Sequence, residues 1–461
     1  MALRLPISPE LVLHAGTRLE QKIVILLPTP RIRLMQQPLQ QVERPACNAS
    51  LHSIGIFTTT FQDKFLESCY ELNMFSNAMN NLVSSLRSRW ALIWLVCCWP
   101  FYFCNSGKNK YVYKYLQPHY MNERIVVADT IGFRLSDKSY NVIKSFNYFL
   151  IDEKEYIAFY DRTSESVNIY DFDNKEIIVS LSLKSLIPDT IFYKTGVFVK
   201  NFDTIIVNNY ATIYVLDTTG SIKGTIPLQR TPYPAFALFR NYSLPVFKGD
   251  AFYTGAWPYL TDNELKSMRK WTVLYKVDMQ ERRAFTSIRL PDVYHSNVYS
   301  YFLLSSSYCV NNEGEFVFSF PADTNIYVTN LEGRNFSFYG KSRRQQQDIS
   351  WIPEDLIGTE RIDELSFYLN DSYGPIYFDE LRKRYLRVAQ SKISKADYAS
   401  KKGRKDQSII MFDQDFRIIS EFPVDPEINL FTLFFTKRGE MYAQTNIEDQ
   451  DSLHFVKLTY K

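Results

Sequence analysis

The pentapeptide Ile169-Tyr170-Asp171-Phe172-Asp173 is the first copy of a pattern that returns along the chain. The pattern is an apolar residue, usually Tyr, any residue, an apolar residue, and then Asp or Asn. Such alternation places the Tyr on one face of a β-strand and the aliphatic residues on the other. The final Asp or Asn ends the strand, because its side chain bonds nearby backbone N–H groups and starts a turn. Further copies begin at residues 213, 274, 326 and 409, with a degenerate copy at residue 453.

Each copy lies within a larger unit. A turn and another apolar strand follow each of the first five copies, and a further strand often precedes the copy, as at residues 156–160 and 204–208. Such an antiparallel meander cannot bury both of its faces alone, whereas six of them arranged radially can. The sequence therefore predicts an all-β fold, a six-bladed β-propeller.

Closure of the predicted ring needs a strand from the N-terminal side, because the sixth unit ends at Lys461 with no strand after its motif. Residues 111–116 alternate suitably and are our first choice for the outer strand of the last blade. Residues 124–130 are the alternative. An N-terminal strand is thus expected to close the last blade.

The composition agrees with a packed β protein. Among 461 residues, 46% are hydrophobic and 22% are charged, which excludes wholesale disorder. The 32 Tyr and 34 Phe residues favour strands, where aromatic side chains are enriched. The net charge of +3 gives no reason to expect a nucleic-acid partner.

The N-terminal region contains a candidate export signal. Residues 90–103 are an uncharged apolar run, preceded by Arg87 and Arg89 and followed by Cys104 and the polar stretch NSGKNK. The run is short for a membrane span of about 20 residues and typical of a signal peptide. We expect Cys104 to carry a lipid, with Cys98 as the second candidate. An uncleaved signal anchor and a buried cytosolic helix are the alternatives.

The domain boundaries follow from this reading. A signal peptide must begin a chain, yet 73 residues precede Met74. We interpret residues 1–73 as an over-extended start or a disordered extension, residues 74–104 as the signal peptide, and residues 105–461 as a single propeller domain. The apolar run that ends at Cys104 resembles a bacterial lipoprotein signal, which implies a lipid-anchored protein of the cell envelope, in the periplasm or at the outer-membrane surface.

Three features resemble a known family: Cys104 with NSGKNK after it, the six Tyr-rich units, and the segment YGPIYFDELRKRYLRV at residues 373–388. Together they resemble Bacteroidetes lipoproteins of domain-of-unknown-function family 4221. The resemblance implies a propeller-like architecture and an envelope location. It implies no reaction, because the shared features build blades and supply no catalytic group.

Catalytic signatures are missing from the sequence. The propeller region has three histidines, and the chain has no HExxH, GxSxG or GxxxxGK[ST] motif. We predict no catalytic, cofactor-binding or metal-binding residue, and a non-catalytic role in binding a protein, peptide or glycan partner. The alternative is a hydrolase or lactonase-like enzyme with a cation in the central channel, which needs converging carboxylates. The carboxylates considered for it are Asp129, Asp152, Asp203, Asp250, Glu313 and Asp363.

Two irregular segments, residues 340–361 and 391–407, are predicted to be loops on the propeller surface. They mix basic and aromatic residues, and aromatic rings in loops can stack on sugars or anchor a protein interface. The candidate partner-binding residues are Trp257, Tyr259, Arg343, Arg344, Trp351, Lys401, Lys402 and Arg404.

Overall fold

The predicted six-bladed β-propeller is confirmed in the computed structural model. The structure describes residues 111–136, 139, 145–187, 195–228, 235–258, 270–345, 347–400, 404–445 and 451–461. Residues 1–73, the candidate signal peptide, Cys98 and Cys104 lie outside these ranges, so the expectations about them stay predictions. Within the described ranges, no helix has the length and hydropathy that a bilayer crossing requires.

The described strands form six sheets, one for each blade. Two N-terminal strands come first: β1 (Val112–Lys114) and β2 (Ile125–Arg134). Blade 1 contains β3 (Phe146–Ile151), β4 (Lys154–Asp161), β5 (Ser166–Asp171) and β6 (Ile177–Ser182). Blade 2 contains β7 (Thr195–Asn201), β8 (Thr204–Asn209), β9 (Thr212–Leu216) and β10 (Ile222–Pro227). Blade 3 contains β11 (Ala235–Leu238), β12 (Val246–Lys248), β13 (Ala251–Pro258), β14 (Thr272–Asp278) and β15 (Arg283–Arg289).

The other three blades follow the same plan. Blade 4 contains β16 (Ser307–Val310), β17 (Phe316–Ser319), β18 (Asn325–Thr329) and β19 (Asn335–Tyr339). Blade 5 contains β20 (Ser372–Asp379), β21 (Arg384–Gln390), β22 (Gln407–Phe412) and β23 (Ile418–Val424). Blade 6 contains β24 (Ile428–Phe435), β25 (Met441–Thr445) and β26 (Ser452–Tyr460), with β2 beside β26. The described α-helices are α1 (Val293–Ser296), α2 (Ile362–Leu369) and α3 (Lys395–Ala399).

The repeated pentapeptide marks the third strand of each blade. Its neighbouring residues enter two different cores, because blades cover both faces of this strand. Ile169 packs between blades 1 and 2, while Tyr170 packs between blades 6 and 1. In blade 3, Leu274 and Tyr275 divide between the two adjoining cores in the same way. The prediction that the Tyr and the aliphatic residues lie on opposite faces is confirmed for the first apolar residue of the motif. It is wrong for the second: Val277 shares a core with Tyr275, because residues two positions apart on a strand point to the same face.

The Asx turns after the motif are confirmed in four copies and wrong in the first. Asp217, Asp278, Asn330 and Asp413 each accept backbone N–H bonds from residues two to four positions later. In the first copy, Asp171 accepts from the N–H of Asn174 at 2.9 Å, and Asp173 was the predicted residue. The reason is that β5 already ends at Asp171.

The first choice of closing strand is wrong, and the alternative segment closes the ring. β2 pairs antiparallel with β26, from Ile125 opposite Tyr460 to Arg134 opposite Ser452. β1 instead pairs parallel with β19 at the outer edge of blade 4. The physical reason is length and burial: β2 has ten residues and buries Phe133 completely, whereas all three residues of β1 are exposed.

Residues 111–124 form a strap across the outer edges of three blades. After β1, the backbone N–H of His119 donates to the carbonyl of Ile418 in blade 5 at 2.9 Å. Arg124 then exchanges two backbone hydrogen bonds with Lys461 in blade 6. The strap also packs aromatic rings on blade 4, where Tyr111 lies edge-on to Tyr327 with ring centroids 4.8 Å apart. It therefore joins blades 4, 5 and 6 from outside.

The central channel is blocked by a short excursion from blade 3. Residues 239–245 interrupt the inner strand between β11 and β12, and they contain the 3₁₀ turn Asn241–Ser243. This plug contacts the inner strands β16, β20 and β24 across the channel. Asn241 donates to the carbonyl of Leu433 at 2.5 Å, and the buried ring of Tyr242 lies edge-on to Phe431. At this level, side chains fill the channel.

The two faces of the ring differ in their connections. In an antiparallel meander, the links between strands two and three and the links to the next blade emerge on one face. Long segments gather on this face, which we call the loop face: residues 290–306, 340–371 and 391–406. The tight Asp and Asn turns lie on the opposite face, which we call the turn face. The two irregular segments that were predicted to be surface loops, residues 340–361 and 391–407, both leave the ring on the loop face.

Candidate functional site

Two insertions meet on the loop face beside blade 5. The first, residues 340–371, leads from blade 4 into blade 5, and the second, residues 391–406, joins β21 to β22. The backbone N–H of Ile393 donates to the carbonyl of Tyr368 at 3.0 Å, and Lys392 Nζ donates to Gln347 Oε1 at 3.0 Å. The rings of Tyr368 and Tyr398 lie 5.6 Å apart. The two insertions therefore form one surface.

Glu421 on β23 holds the start of the first insertion. One carboxylate oxygen accepts from the hydroxyl of Ser342 at 2.5 Å, and the other accepts from the backbone N–H of Arg343 at 2.7 Å. Ser408 on β22 adds a hydroxyl bond to the same carboxylate at 3.0 Å. Glu421 is buried, and charge-assisted hydrogen bonds of this kind are stronger than neutral ones.

Lys405 holds the end of the first insertion against blade 5. Its buried ammonium donates to the carbonyls of Phe367 and Asn370 at 3.1 and 2.8 Å, and to the hydroxyl of Ser372 at 2.7 Å. Burial lowers the pKa of Lys405 to about 7, because the charged form loses its water, while the nearby carboxylate of Asp371 acts in the opposite direction. Lys405 thus joins α2, the first strand of blade 5 and the second insertion.

A small polar pocket opens between these two attachments. Its space, including the mouth, is about 190 Å³. Much of this volume is open to solvent, so the pocket encloses a group about the size of a water molecule. Ser372 at its base receives the Lys405 hydrogen bond and donates to Gln390 Oε1 at 3.4 Å. The polar side chains that line the pocket belong to Ser342, Gln345, Asp371, Ser372, Tyr373, Gln390 and Ser391.

Trp351 is displayed on a firmly held loop of the first insertion. Its side chain is 56% exposed, although Ile349 and Ile352 on either side are buried. The backbone N–H of Ile352 donates to the carbonyl of Val298 at 2.7 Å. The backbone N–H of Ser350 donates to Asn370 Oδ1 at 2.9 Å, and Asn370 directly precedes Asp371 of the pocket. The loop is fixed while the indole ring faces solvent.

Residues 122–423 match the family model described as "Domain of unknown function (DUF4221)". The chain belongs to the DUF4221 family. A crystal structure of a DUF4221 member from Bacteroides vulgatus has a TM-score of 0.62 with this chain at 19% sequence identity, covering 74% of this chain and 98% of that one. At this identity, the similarity shows the shared fold. A search of the curated proteins finds no match.

Two further solved structures resemble this DUF4221 chain more distantly. A putative exported protein from Bacteroides fragilis is 10% identical with a TM-score of 0.47, covering 76% of this chain and 100% of that one. Virginiamycin B lyase from Staphylococcus aureus is 11% identical with a TM-score of 0.35, covering 73% of this chain and 99% of that one.

The side chains of two predicted partner-binding residues of this DUF4221 chain make contacts within the fold. Trp257 is only 4% exposed and its ring stacks on Tyr301, so it is not available as a surface anchor. The reason is that it lies on β13 beneath the long loop-face segments. Arg343 bends back and donates from its guanidinium to the carbonyl of Glu421 at 2.5 Å.

The other predicted residues have mixed placements. Arg344 is exposed next to Arg343. Arg404 forms an ion pair with Glu427 at 2.5 Å, close to Lys405 in sequence. Tyr259, Lys401 and Lys402 lie outside the described residues. The structure therefore brings Arg343, Arg344, Trp351 and Arg404 to the surface formed by the two insertions, and their role in binding stays a prediction.

The carboxylates considered for a channel enzyme do not converge in this DUF4221 fold. Asp152, Asp203, Asp250 and Glu313 lie in turns of four different blades, and Asp129 lies exposed on the outer strand β2. Asp363 is buried in α2, where it accepts from the backbone N–H of Tyr301 at 2.8 Å. In the described part of the chain, no group of three or more His, Cys, Asp and Glu side chains is placed to hold a metal ion.

Sequence reasoning did not find the residues that build the pocket. Asp371, Gln390 and Ser391 are ordinary polar residues at strand ends, and no spacing marks them. The sequence does mark Arg387, which lies near them. It is a charged residue within the apolar run Tyr385-Leu386-Arg387-Val388-Ala389, and a charge in such a run indicates a buried side chain with hydrogen-bond partners. Lys405 is the last member of a basic run, and only the fold shows that it is buried.

Proposed function

We propose that this protein is a non-catalytic binding module of the cell envelope, and that it captures a protein, peptide or glycan partner on the loop face beside blade 5. The observation that carries the proposal is the exposed ring of Trp351 on a loop that the buried side chains of Ile349 and Ile352 hold in place. An isolated exposed Trp on a mobile loop would lose entropy on binding. A Trp on a fixed loop avoids much of that cost.

The surrounding contacts support the same surface. Glu421 and Lys405 hold both ends of the first insertion, and the second insertion bonds to it through Lys392 and Ile393. A rigid surface with a central aromatic anchor is typical of binding hot spots, where a single Trp contributes about 2 kcal/mol or more. Arg344 is an exposed arginine beside the pocket. We expect its charge to change mainly the association rate of the partner, and to do so chiefly at low salt.

Partner capture by matched variants tests this proposal. Trp351→Ala should abolish or strongly weaken capture with little change in thermal stability, because the ring is exposed. Leu381→Ala is the control, since Leu381 is 63% exposed in a turn on the opposite face. A partner retained by the wild type and by Leu381→Ala, and lost with Trp351→Ala, supports the proposal. Equal capture by all three proteins would contradict it.

The envelope location belongs to the same proposal, and we infer that Cys104 is the lipid attachment site. The apolar run of residues 90–103 and the polar stretch after Cys104 support it. Cells labelled with a fatty-acid analogue should yield labelled wild type and labelled Cys98→Ala, but unlabelled Cys104→Ala. Label retained by Cys104→Ala and lost from Cys98→Ala would move the site to Cys98.

A further inference from the structure

We propose that the strap, residues 111–124, is a membrane-docking surface, and that the ring rests edge-on against an anionic bilayer through the exposed tyrosines of the strap. The inference rests on the proposed function in one respect, the lipid on Cys104, and it adds which side of the ring meets the membrane. Three observations carry it: the exposed apolar side chains of the strap, its charge, and the short length of chain between it and Cys104.

The strap has the densest group of exposed apolar side chains in the described part of the chain. Five exposed large hydrophobic residues lie within residues 112–121, whereas the others are spread over residues 127–381. An exposed apolar cluster on a soluble domain marks a surface that meets another protein or a membrane. The five residues, each 38–56% exposed, are Val112, Tyr113, Tyr115, Tyr120 and Met121.

The strap tyrosines gather around one tyrosine of blade 4. Burial raises the pKa of Tyr339 at the end of β19, and the nearby hydroxyls of Tyr115, Tyr120 and Tyr113 raise it further. The rings of Tyr115 and Tyr339 lie 5.3 Å apart. A tyrosine has an apolar ring and a polar hydroxyl, and such side chains are enriched where lipid headgroups meet the hydrocarbon. The cluster therefore suits the interfacial layer of a bilayer.

The charge of the strap is complementary to anionic lipid headgroups. Before Glu123 the strap contains no Asp or Glu, and the carboxylate of Glu123 pairs with Arg384. Lys114 is exposed on β1, and the guanidinium of Arg343 lies 5.2 Å from the ring centroid of Tyr120. Basic side chains next to a membrane anchor are attracted to anionic lipids. The aromatic surface thus has a basic margin.

The length of chain before the strap favours a bilayer over a second copy or a soluble partner. Six residues separate Cys104 from Tyr111, and a fully extended chain spans at most about 3.6 Å per residue, so the lipid lies within about 25 Å of Tyr111. The strap stays with the ring, because the N–H of His119 donates to the carbonyl of Ile418 at 2.9 Å. A tether this short keeps the bilayer at high effective concentration, so a weakly binding surface suffices.

Edge-on docking leaves both faces of the ring open to solvent. The outer edges of blades 4 and 5, which the strap crosses, would lie against the headgroups. The outer edges of blades 1 and 2, on the other side of the ring, would point away from the bilayer. Trp351 and the insertions of the loop face would therefore stay accessible to a partner.

Hydroxyl-radical footprinting of the full chain tests this proposal. The protein is compared in vesicles of phosphatidylethanolamine and anionic phosphatidylglycerol and in detergent micelles. Oxidation of Tyr113 and Tyr115 should be at least about threefold slower in the vesicles than in the micelles, because interfacial side chains are shielded from water. Rates are normalised to Ile178, which is 44% exposed on β6 of blade 1. Vesicles of neutral phosphatidylcholine should protect these tyrosines less.

Matched variants show whether the strap itself causes the protection. The double variant Tyr113→Ser and Tyr115→Ser should restore oxidation of Met121 to its rate in micelles, because the docking surface has lost two of its rings. Ile222→Ser is the control, since Ile222 is 43% exposed on β10 of blade 2 and should not touch the bilayer. Melting temperatures close to that of the wild type exclude unfolding as the cause of any change.

The outcomes separate this inference from the proposed function. Equal oxidation of the strap in vesicles and micelles, or equal protection of Ile178, would overturn the docking surface. Protection that appears in micelles as the protein concentration rises would assign the strap to a second copy and would overturn it too. A fatty-acid label on Cys104 with an unprotected strap would leave the envelope location standing. A protected strap without that label would overturn only the lipid assignment.

Discussion

The guanidinium of Arg387 lies 3.8 Å from the ring centroid of Tyr373, and both side chains are buried, with Tyr373 in the lining of the polar pocket. Arg387 has no carboxylate at hydrogen-bond distance among the described residues. It donates to the hydroxyl of Ser319 at 2.9 Å and to carbonyls of blade 4, including those of Thr324 at 2.7 Å and Asp323 at 2.6 Å. Burial lowers its pKa to about 10. This arginine therefore fastens blade 5 to blade 4.

Arg387→Met is expected to lower the free energy of unfolding by at least about 3 kcal/mol, because several buried carbonyls lose their donors at once. Urea denaturation measures the effect. Arg283→Met is the matched control, since Arg283 is exposed and its nearest carboxylate oxygen, on exposed Glu281, lies at 3.8 Å. Exposed pairs of this kind contribute about 0–1 kcal/mol. Similar losses of unfolding free energy in both variants would contradict the role of Arg387 in fastening blade 5 to blade 4.

Lys405 is expected to make stability depend on pH. Its folded-state pKa of about 7 lies below its ordinary value of 10.5, so between these values the unfolded chain binds more protons. Stability from this group therefore rises with pH across that window, by at most about 1.4 kcal/mol per pH unit. The unfolding free-energy difference between wild type and Lys405→Met should shift in favour of the wild type from pH 7 to pH 9. A difference that stays constant with pH contradicts this expectation, and exposed Lys392→Met serves as control.

Glu421→Gln is expected to loosen the first insertion without unfolding the propeller. The neutral amide offers one acceptor oxygen where the carboxylate offers two, so the bonds from Ser342 and from the N–H of Arg343 cannot both keep their present form. Trypsin should then cut after Arg343 and Arg344 at least about threefold faster, as local opening becomes easier. Glu313→Gln, at an exposed ion pair in a turn, should leave the cleavage rate unchanged. An unchanged cleavage rate in Glu421→Gln would contradict the role of Glu421 in keeping the first insertion in place.

Phe133→Ala is expected to destabilise the ring by about 3–5 kcal/mol, because the fully buried ring contacts Tyr170, Phe172 and Phe455 across the closure. Tyr113→Ala in β1 should cost no more than about 0.5 kcal/mol, since that side chain is 53% exposed. Thermal unfolding compares the two. A larger loss for Tyr113→Ala would restore β1 as the strand on which closure depends.

The residues that could be predicted from the sequence are those with a local cause. Alternation predicts that Ile169 and Tyr170 lie on opposite faces of a strand, and the side-chain chemistry of Asp217 predicts its turn. The propeller fold could therefore be predicted from the sequence. The closing strand could not be predicted, because residues 111–116 and 125–134 both alternate. Only the pairing with β26 shows which of the two segments closes the ring. Glu421 and Arg343 are far apart in sequence, and the ammonium of Lys405 is held by residues more than 30 positions away, such as Asn370 and Ser372. The site is made of such distant contacts.

The pairing of β2 with β26 also has a consequence in time. The ribosome synthesises β2 before the blades and β26 after all the remaining strands of the ring. The ring therefore stays open until Tyr460 has emerged. During that interval, the backbone groups of β2 that pair with β26 have no partner strand, and long-range strand pairing is slow and prone to aggregation. The interval lasts as long as translation of the blades. The chance of misassembly is therefore governed by the speed of synthesis as well as by the stability of the finished ring.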